Sequence, residues 1–526
     1  MIRRSLLLFA FVACSARLPA QATPLVPPDA PAYRLIERLA AVGLIDTLIV
    51  GVRPFSEREV VRLLSEAQRN LGRRPDVQEW ADLAIRNDLA RYRRDGNRPI
   101  DAIATELTVM SSPYRIAPSD HSGSVDGVIN PLAAYRAGRT LADGTTSALE
   151  SEHSLTLGTH VAATISPRIA FTRPRGGASS FDATVQSGSA TFLFGDFAVQ
   201  AGRDQVIFGQ APTGGLLLST NAPPLDMIRM WNDRPWQIPL LSRLFHGIRG
   251  SLFVADLGGP HQMHPHSSLI GYHLAGLPHP QFEIGVQVVD AMGGNGGQPA
   301  SFGDRVLDAI PIIDALRTKS DFQFSNKLAG IDFRWRMPRW SGFELYGEGN
   351  ADDFDGRNLT RGFKEDAGYL VGAAFSCLAW CGRFGVRAEY HQTGIRYYTH
   401  TDYPMASRGF LLGDPLGPRG LGGYLTVDAN AGRSGRFWVN AAFEARSGNT
   451  YGAESTGPND VGFHFILLTR RPSEKRARLT GAWEGPEMRH VSVQVAAGAE
   501  RVQDFAFVAG DGRTNWLARV AVVGRP

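Results

Sequence analysis

Residues 154–165 read Ser154-Leu155-Thr156-Leu157-Gly158-Thr159-His160-Val161-Ala162-Ala163-Thr164-Ile165. Leu155, Leu157, Thr159, Val161, Ala163 and Ile165 fall on one side of a two-residue period. Ser154, Thr156, Gly158, His160, Ala162 and Thr164 fall on the other. Successive side chains of a strand point to opposite faces, so this spacing predicts one strand with an apolar and a polar face. Ser166-Pro167-Arg168 then reads as a tight turn before a second strand from Ile169. On this reading His160 points to the polar side. Such strands, repeated with short turns, close into a barrel whose apolar face meets lipid and whose polar face lines a lumen.

The start of the chain fits export to an outer membrane. Arg3 and Arg4 precede a short apolar run, Ser5 to Ala13, and Ala20-Gln21-Ala22 is an A-x-A cleavage site. Residues 1–22 therefore read as a signal peptide. No later apolar run is long enough for a transmembrane helix. The formal charge of +4 is small for 526 residues and argues against a nucleic-acid partner. Of three cysteines, Cys14 lies in the signal. Cys377 and Cys381 bracket an expected hairpin turn and are predicted to bond in an oxidising compartment.

Residues 23–98 differ from the rest and are expected to form a small periplasmic helical region. Tyr33, Ile36, Leu39 and Ala40 share one helical face. Ser56 and Glu59 form a capping box, with Phe55 and Val60 placed as its hydrophobic staple, and Asp76 with Glu79 repeats the capping signal. Residues 99–526 lose the helical period and read as sixteen to eighteen strands. Gly195-Asp196 is a two-residue hairpin loop. Phe463 to Arg470 is expected to pair with Ala477 to Trp483. Long polar segments such as Ala291 to Ser325 and Thr393 to Gly423 alternate with short turns, the usual topology of outer-membrane barrels. Trp335, Trp340, Tyr346, Trp380, Trp438 and Trp483 are candidates for interfacial girdles. The ending Val522-Val523-Gly524-Arg525-Pro526 lacks a terminal aromatic, which keeps a periplasmic β-sandwich or propeller as the competing architecture.

No nucleophile elbow, zincin motif, P-loop or dinucleotide fingerprint is present, so no enzyme activity and no cofactor are expected. His261, His264 and His266, and separately Asp352, Asp353 and Asp355, lack the partners a metal site needs and read as polar loops. Arg203, Glu344, Glu348, Arg387 and Glu389 lie on strands. Charges on a lipid face cost several kcal/mol, so all five are expected in the lumen, paired and filling it. The long loop after Gln392 carries Arg396, Tyr397, Tyr398, His400 and Tyr403, groups that stack on and hydrogen-bond sugars.

Several segments in order, from Gly43-Leu44-Ile45-Asp46 and Arg53-Pro54-Phe55-Ser56 through Gly202-Arg203-Asp204 to Gly409-Phe410-Leu411-Leu412-Gly413-Asp414-Pro415, give a pattern that resembles the Wzi family of capsule assembly proteins. The resemblance implies an all-β, antiparallel transmembrane barrel of about eighteen strands with a small N-terminal α-helical bundle. It also implies a non-enzymatic role in binding surface polysaccharide and organising capsule. The expected partners are polysaccharide and outer-membrane lipid, with the chain acting as a monomer. A diffusion porin is the competing function, because charged lumen residues serve it equally well. An outer-membrane hydrolase lacks a recognisable nucleophile and base.

Overall fold

The computed structural model describes residues 21–93, 97, 99–111, 131–238, 241, 243–260, 262–297, 325–352, 365–378, 383–400, 402–430, 435–455 and 463–525. Eighteen strands form one closed antiparallel barrel. Each pairs with the next in the chain, from Ala102–Met110 to Arg513–Gly524. Closure comes from pairing of these two, with Ala104 opposite Val523 and Thr108 opposite Arg519. The last strand thus closes the barrel without a terminal aromatic, and every ladder hydrogen bond finds a partner without a free edge.

The quoted stretch is two strands rather than one. Gly144–Leu157 and Val161–Pro174 meet through Gly158-Thr159-His160, with Leu157 opposite Val161. The alternation conceals this turn because Leu157 and Val161 lie an even number of positions apart and both stay outward. Leu155, Leu157, Ile165, Ile169 and Phe171 are 43 to 56% exposed on the outer face, while Ala162, Arg168 and Ala170 are buried inside. His160 is corrected from the lumen to the turn, where it is exposed and its Nδ1 lies 3.0 Å from Leu193 O. Ser166-Pro167 is a register shift within a strand, where proline's missing N–H is tolerated. Phe463–Thr469 pairs with Thr450–Ser455 in a separate two-stranded ribbon. The expected partner of that segment, within Ser473–Glu484, instead stands in the barrel beside Arg436–Ser447.

Most short connections, such as 195–196, 280–281 and 338–342, lie at one end, with the helical unit. The segment 233–247 is a longer connection at that end. The described residues of segments 111–143, 205–224, 394–419 and 448–472 lie at the other, loop end. Trp335, Trp340, Phe437 and Trp483 face outward near the helical end. Tyr346 and Trp438 fall on the opposite parity and face inward, so they belong to no girdle. Trp380 lies outside the described residues.

Helices α1 (Pro31–Ala41), α2 (Glu57–Arg69) and α3 (Gln78–Tyr92) pack around Ile36, Leu39, Val60, Leu63, Leu64 and Ile85. Ser56 Oγ accepts from Glu59 N at 3.1 Å, half of the capping box. Glu59 does not return the bond; its carboxylate takes Arg62 at 2.6 Å and the barrel's Arg249 at 3.5 Å. Asp76 caps no helix either. It pairs with Arg74, which holds its carboxyl below the usual range, and α3 starts directly after a Pro75–Val77 turn.

The helical unit is fastened inside the barrel mouth. Val52–Arg53 pairs with Ile207–Phe208, a segment folded into the lumen. The amides of Val50 and Gly51 donate to buried Glu283 at 3.0 and 2.8 Å. Arg38 meets Asp428 on the wall, and Arg387 meets Glu37 at 3.3 Å. Beyond the unit, a large apolar core fills the lumen toward the loop end, with Phe208, Leu216, Leu218, Tyr397, Tyr398 and Leu411 at its centre.

Candidate functional site

Two lumenal regions concentrate polar groups. The first is the lid at the loop end, where segments 205–224 and 394–419 fold into the barrel and meet backbone to backbone. Ser219 N donates to Leu412 O at 2.8 Å, and Asn221 Nδ2 to Leu411 O at 2.9 Å. A Cβ on Gly413 would lie 1.9 Å from Leu216 O, so only glycine permits this approach. Tyr398 Oη donates to Leu216 O and accepts from Asp414 N at 2.8 Å. Asp414 in turn holds the His391 ring.

Below the lid, charges cross-link the wall. Glu344 pairs with Arg334 at 3.1 Å and Arg336 at 3.6 Å, both fully buried. Glu348, also buried, accepts from Leu216 N at 3.0 Å and Gln287 Nε2 at 2.9 Å. Glu389 accepts from Tyr346 Oη. These three and Arg387 are in the lumen as expected, and each is engaged by protein. Arg203 is the correction. It lies on the outward parity near the loop end, pairing with Asp226 at 2.7 Å, and both are partly exposed. A charge at a strand end escapes the cost that holds at the membrane centre.

The expected ligand-binding loop is also revised. Tyr397 and Tyr398 are fully buried, with rings 4.4 Å apart edge to face, and Tyr403 is 3% exposed. No face of these rings is open to a sugar; they pack the lid. Arg396 pairs with Asp366 at 2.8 Å and lies over Phe465. His400 is half-buried, its Nδ1 accepting from Tyr403 N at 3.1 Å. What the sequence missed is a surface patch beside His400. His264 Nε2 lies 3.8 Å from exposed Asp402, its ring 5.3 Å from Tyr403, and His266 Nδ1 is 2.8 Å from Asp256. These groups come from loops far apart in sequence, so no local motif announces them. His261, Asp353, Asp355 and Cys381 lie outside the described residues; Cys377 is disulfide-bonded.

The second region is a chamber of about 2050 Å³ between the helical unit and the wall formed by the last and first strands. Glu106 there takes both Arg136 and Arg519, and Glu150 takes Arg139 at 2.6 Å. Asp88 on α3 lines it, buried, with Oδ2 lacking a hydrogen-bond partner. Burial raises the Asp88 carboxyl above its usual range; Arg436 and Arg91 offset this and Glu484 adds to it. Because the folded value is raised, the folded state binds the proton more readily. The carboxylate therefore costs stability from about pH 4 upward, where the unfolded chain ionises. Asp88→Asn is expected to stabilise the protein by about 1 kcal/mol at pH 7, the scale of one unpaired buried group. Thermal midpoints in detergent should show a gain that shrinks toward pH 4.

A family model of the capsule assembly protein Wzi matches residues 121–517. Among solved structures, the chain is similar to Wzi of Escherichia coli, an outer-membrane protein involved in group 1 capsule assembly and described as a carbohydrate-binding β-barrel. The identity is 16%, over 95% of this chain and 99% of that one, with a TM-score of 0.66. OprD of Pseudomonas aeruginosa matches at 10% identity over 82% and 95% of the two chains, with a TM-score of 0.43. No curated protein matches in sequence. A family match spanning most of the barrel, on an eighteen-strand fold with an apolar outer face, places the protein in the outer membrane: the chain belongs to the Wzi family of capsule assembly proteins.

Proposed function

We propose that this capsule assembly protein is a non-enzymatic barrel that binds capsular or other surface polysaccharide and retains it at the cell surface. In this reading residues 1–22 leave as a signal peptide. Residues 23–98 face the periplasm, residues 99–526 form the barrel, and the chain acts as a monomer in outer-membrane lipid. The observation that carries it is the lid: among the described residues, buried tyrosines and backbone hydrogen bonds fill the lumen at the loop end, which suits surface binding and not diffusion. The contact surface is the loop-end patch of His264, His400 and Asp402. Its imidazoles and carboxylate offer donors and acceptors to sugar hydroxyls.

Replacing His264 and Asp402 together by alanine should lower polysaccharide retention on cells about tenfold, the effect of losing roughly 1.4 kcal/mol of binding. Heat-modifiable migration on gels should stay unchanged. Unchanged retention would remove the patch from the reading. A steady open conductance of the wild-type protein in planar bilayers would favour the porin instead.

A further inference from the structure

We propose that the chamber beside the helical unit is a second saccharide site, open toward the helical end, that takes an uncharged, hydroxyl-rich oligosaccharide. At about 2050 Å³ it is roughly twice the upper size of an ordinary ligand pocket, near 1,000 Å³. Its walls carry the two kinds of group that saccharides need. Trp80 comes from α3 and Trp438 from the opposite wall, both half-buried, offering ring faces for the apolar side of a sugar. Carboxylates and guanidiniums between them accept from and donate to hydroxyls. Asp88 supplies an oxygen that no protein donor satisfies.

The charge balance narrows the ligand. Eleven carboxylates line the chamber against eight arginines. That excess repels an acidic polymer, so the guest is neutral. Arg34, exposed on α1, lies 4.8 Å over Trp438 and covers the ring face on which a sugar would stack. A sugar stacking there displaces Arg34 from the ring, and Glu484 and Asp428 attract its charge from nearby.

The direction of access follows from the roof. Ala137 N donates to Thr220 O at 2.7 Å and Gly138 N to Asn221 O at 3.1 Å, while Arg136 and Arg139 are tied to Glu106 and Glu150. Among the described residues these bonds roof the chamber on the loop side, and Glu487, His490 and Arg525 border it at the helical end. A ligand enters from the side opposite the surface patch, so this site does not depend on the surface-retention reading.

The test uses the purified full chain in detergent and calorimetric titration with neutral malto- and isomalto-oligosaccharides, with oligogalacturonate as the acidic comparison. Wild type should bind a neutral series and not the acidic one. Trp438→Ala removes a stacking face, and Ala104→Trp fills the chamber from an inward wall position. Each should weaken binding at least tenfold while keeping heat-modifiable migration; the His264 and Asp402 double variant should bind like wild type. Absence of neutral-sugar binding by wild type, or wild-type binding by a folded Ala104→Trp, overturns the proposal. Loss of binding in the surface double variant overturns it too. Loss of surface retention alone bears only on the patch.

Discussion

Glu283→Ala should release the helical unit from the barrel. The carboxylate is fully buried on the strand Phe282–Met292. It receives the Val50 and Gly51 amides, Gln210 Nε2 at 3.0 Å and Arg336 at 3.3 Å. It is the point at which chain from the helical unit, a lid segment and the wall converge. Removing one partner of a buried ion pair typically costs about 3–5 kcal/mol, because the other charge stays desolvated. By contrast, Arg73 and Asp46 pair at 2.7 Å in solvent, 56% and 41% exposed, and truncating them should cost about 0–1 kcal/mol. Two ion pairs of unequal burial thus predict very different outcomes. In Glu283→Ala, limited proteolysis should cut the segment between α1 and α2, with a large fall in the thermal midpoint. Glu283→Gln keeps an acceptor for the amides and should fall between. A midpoint equal to that of Arg73→Ala would show that the unit is held by its apolar contacts instead.

The barrel was legible because its signal is periodic. Leu155, Leu157, Ile165 and Ile169 keep one parity through a turn and a bulge, so the outward face could be read even where the strand ends could not. The same parity placed Glu344, Glu348, Arg387 and Glu389 inside and would have placed Arg203 outside. For Arg203 charge points to the lumen and register to the outer face, and register decides. All three helices were legible from local rules, and the Ser56 cap holds while the Asp76 cap does not. Glu59 departs from its box because Arg62, one turn on, takes both its oxygens, with the wall's Arg249 beside them. The candidate sites were least legible. Tyr397 and Tyr398 look the same in a sequence whether they stack on sugar or on each other. Two of the partners that decide the matter, Leu216 and Gly368, arrive from another loop and a strand, and Asp414 from the far side of the same loop. The chamber likewise exists only once α3 faces the strands that close the barrel.

Replacing Tyr397 and Tyr398 together by alanine should open the lid and turn a closed barrel into a conducting one. Both rings are fully buried, and truncating a buried aromatic costs about 3–5 kcal/mol, with neighbours not additive. Tyr397 packs on Gly368, where a Cβ would come within 2.8 Å of its ring. Tyr398 ties Leu216 of one lid segment to Asp414 of the other. With both gone, the seam between 205–224 and 394–419 loses its two buried rings and one of its bridges, and keeps the bonds of Ser219 and Asn221. Pro212 and Thr213 of the same segment border the inner chamber, so an opened seam joins the outside to that chamber. Planar-bilayer recordings should then show steady current where wild type shows none. Tyr398→Phe keeps the ring and strands only the Leu216 carbonyl and Asp414 amide, about 1–3 kcal/mol, and should stay closed at room temperature. If these tyrosines stacked on polysaccharide, the alanine pair would lose retention without passing current. Retention lost together with current gained is the signature of a lid, because no sugar contact can account for the current.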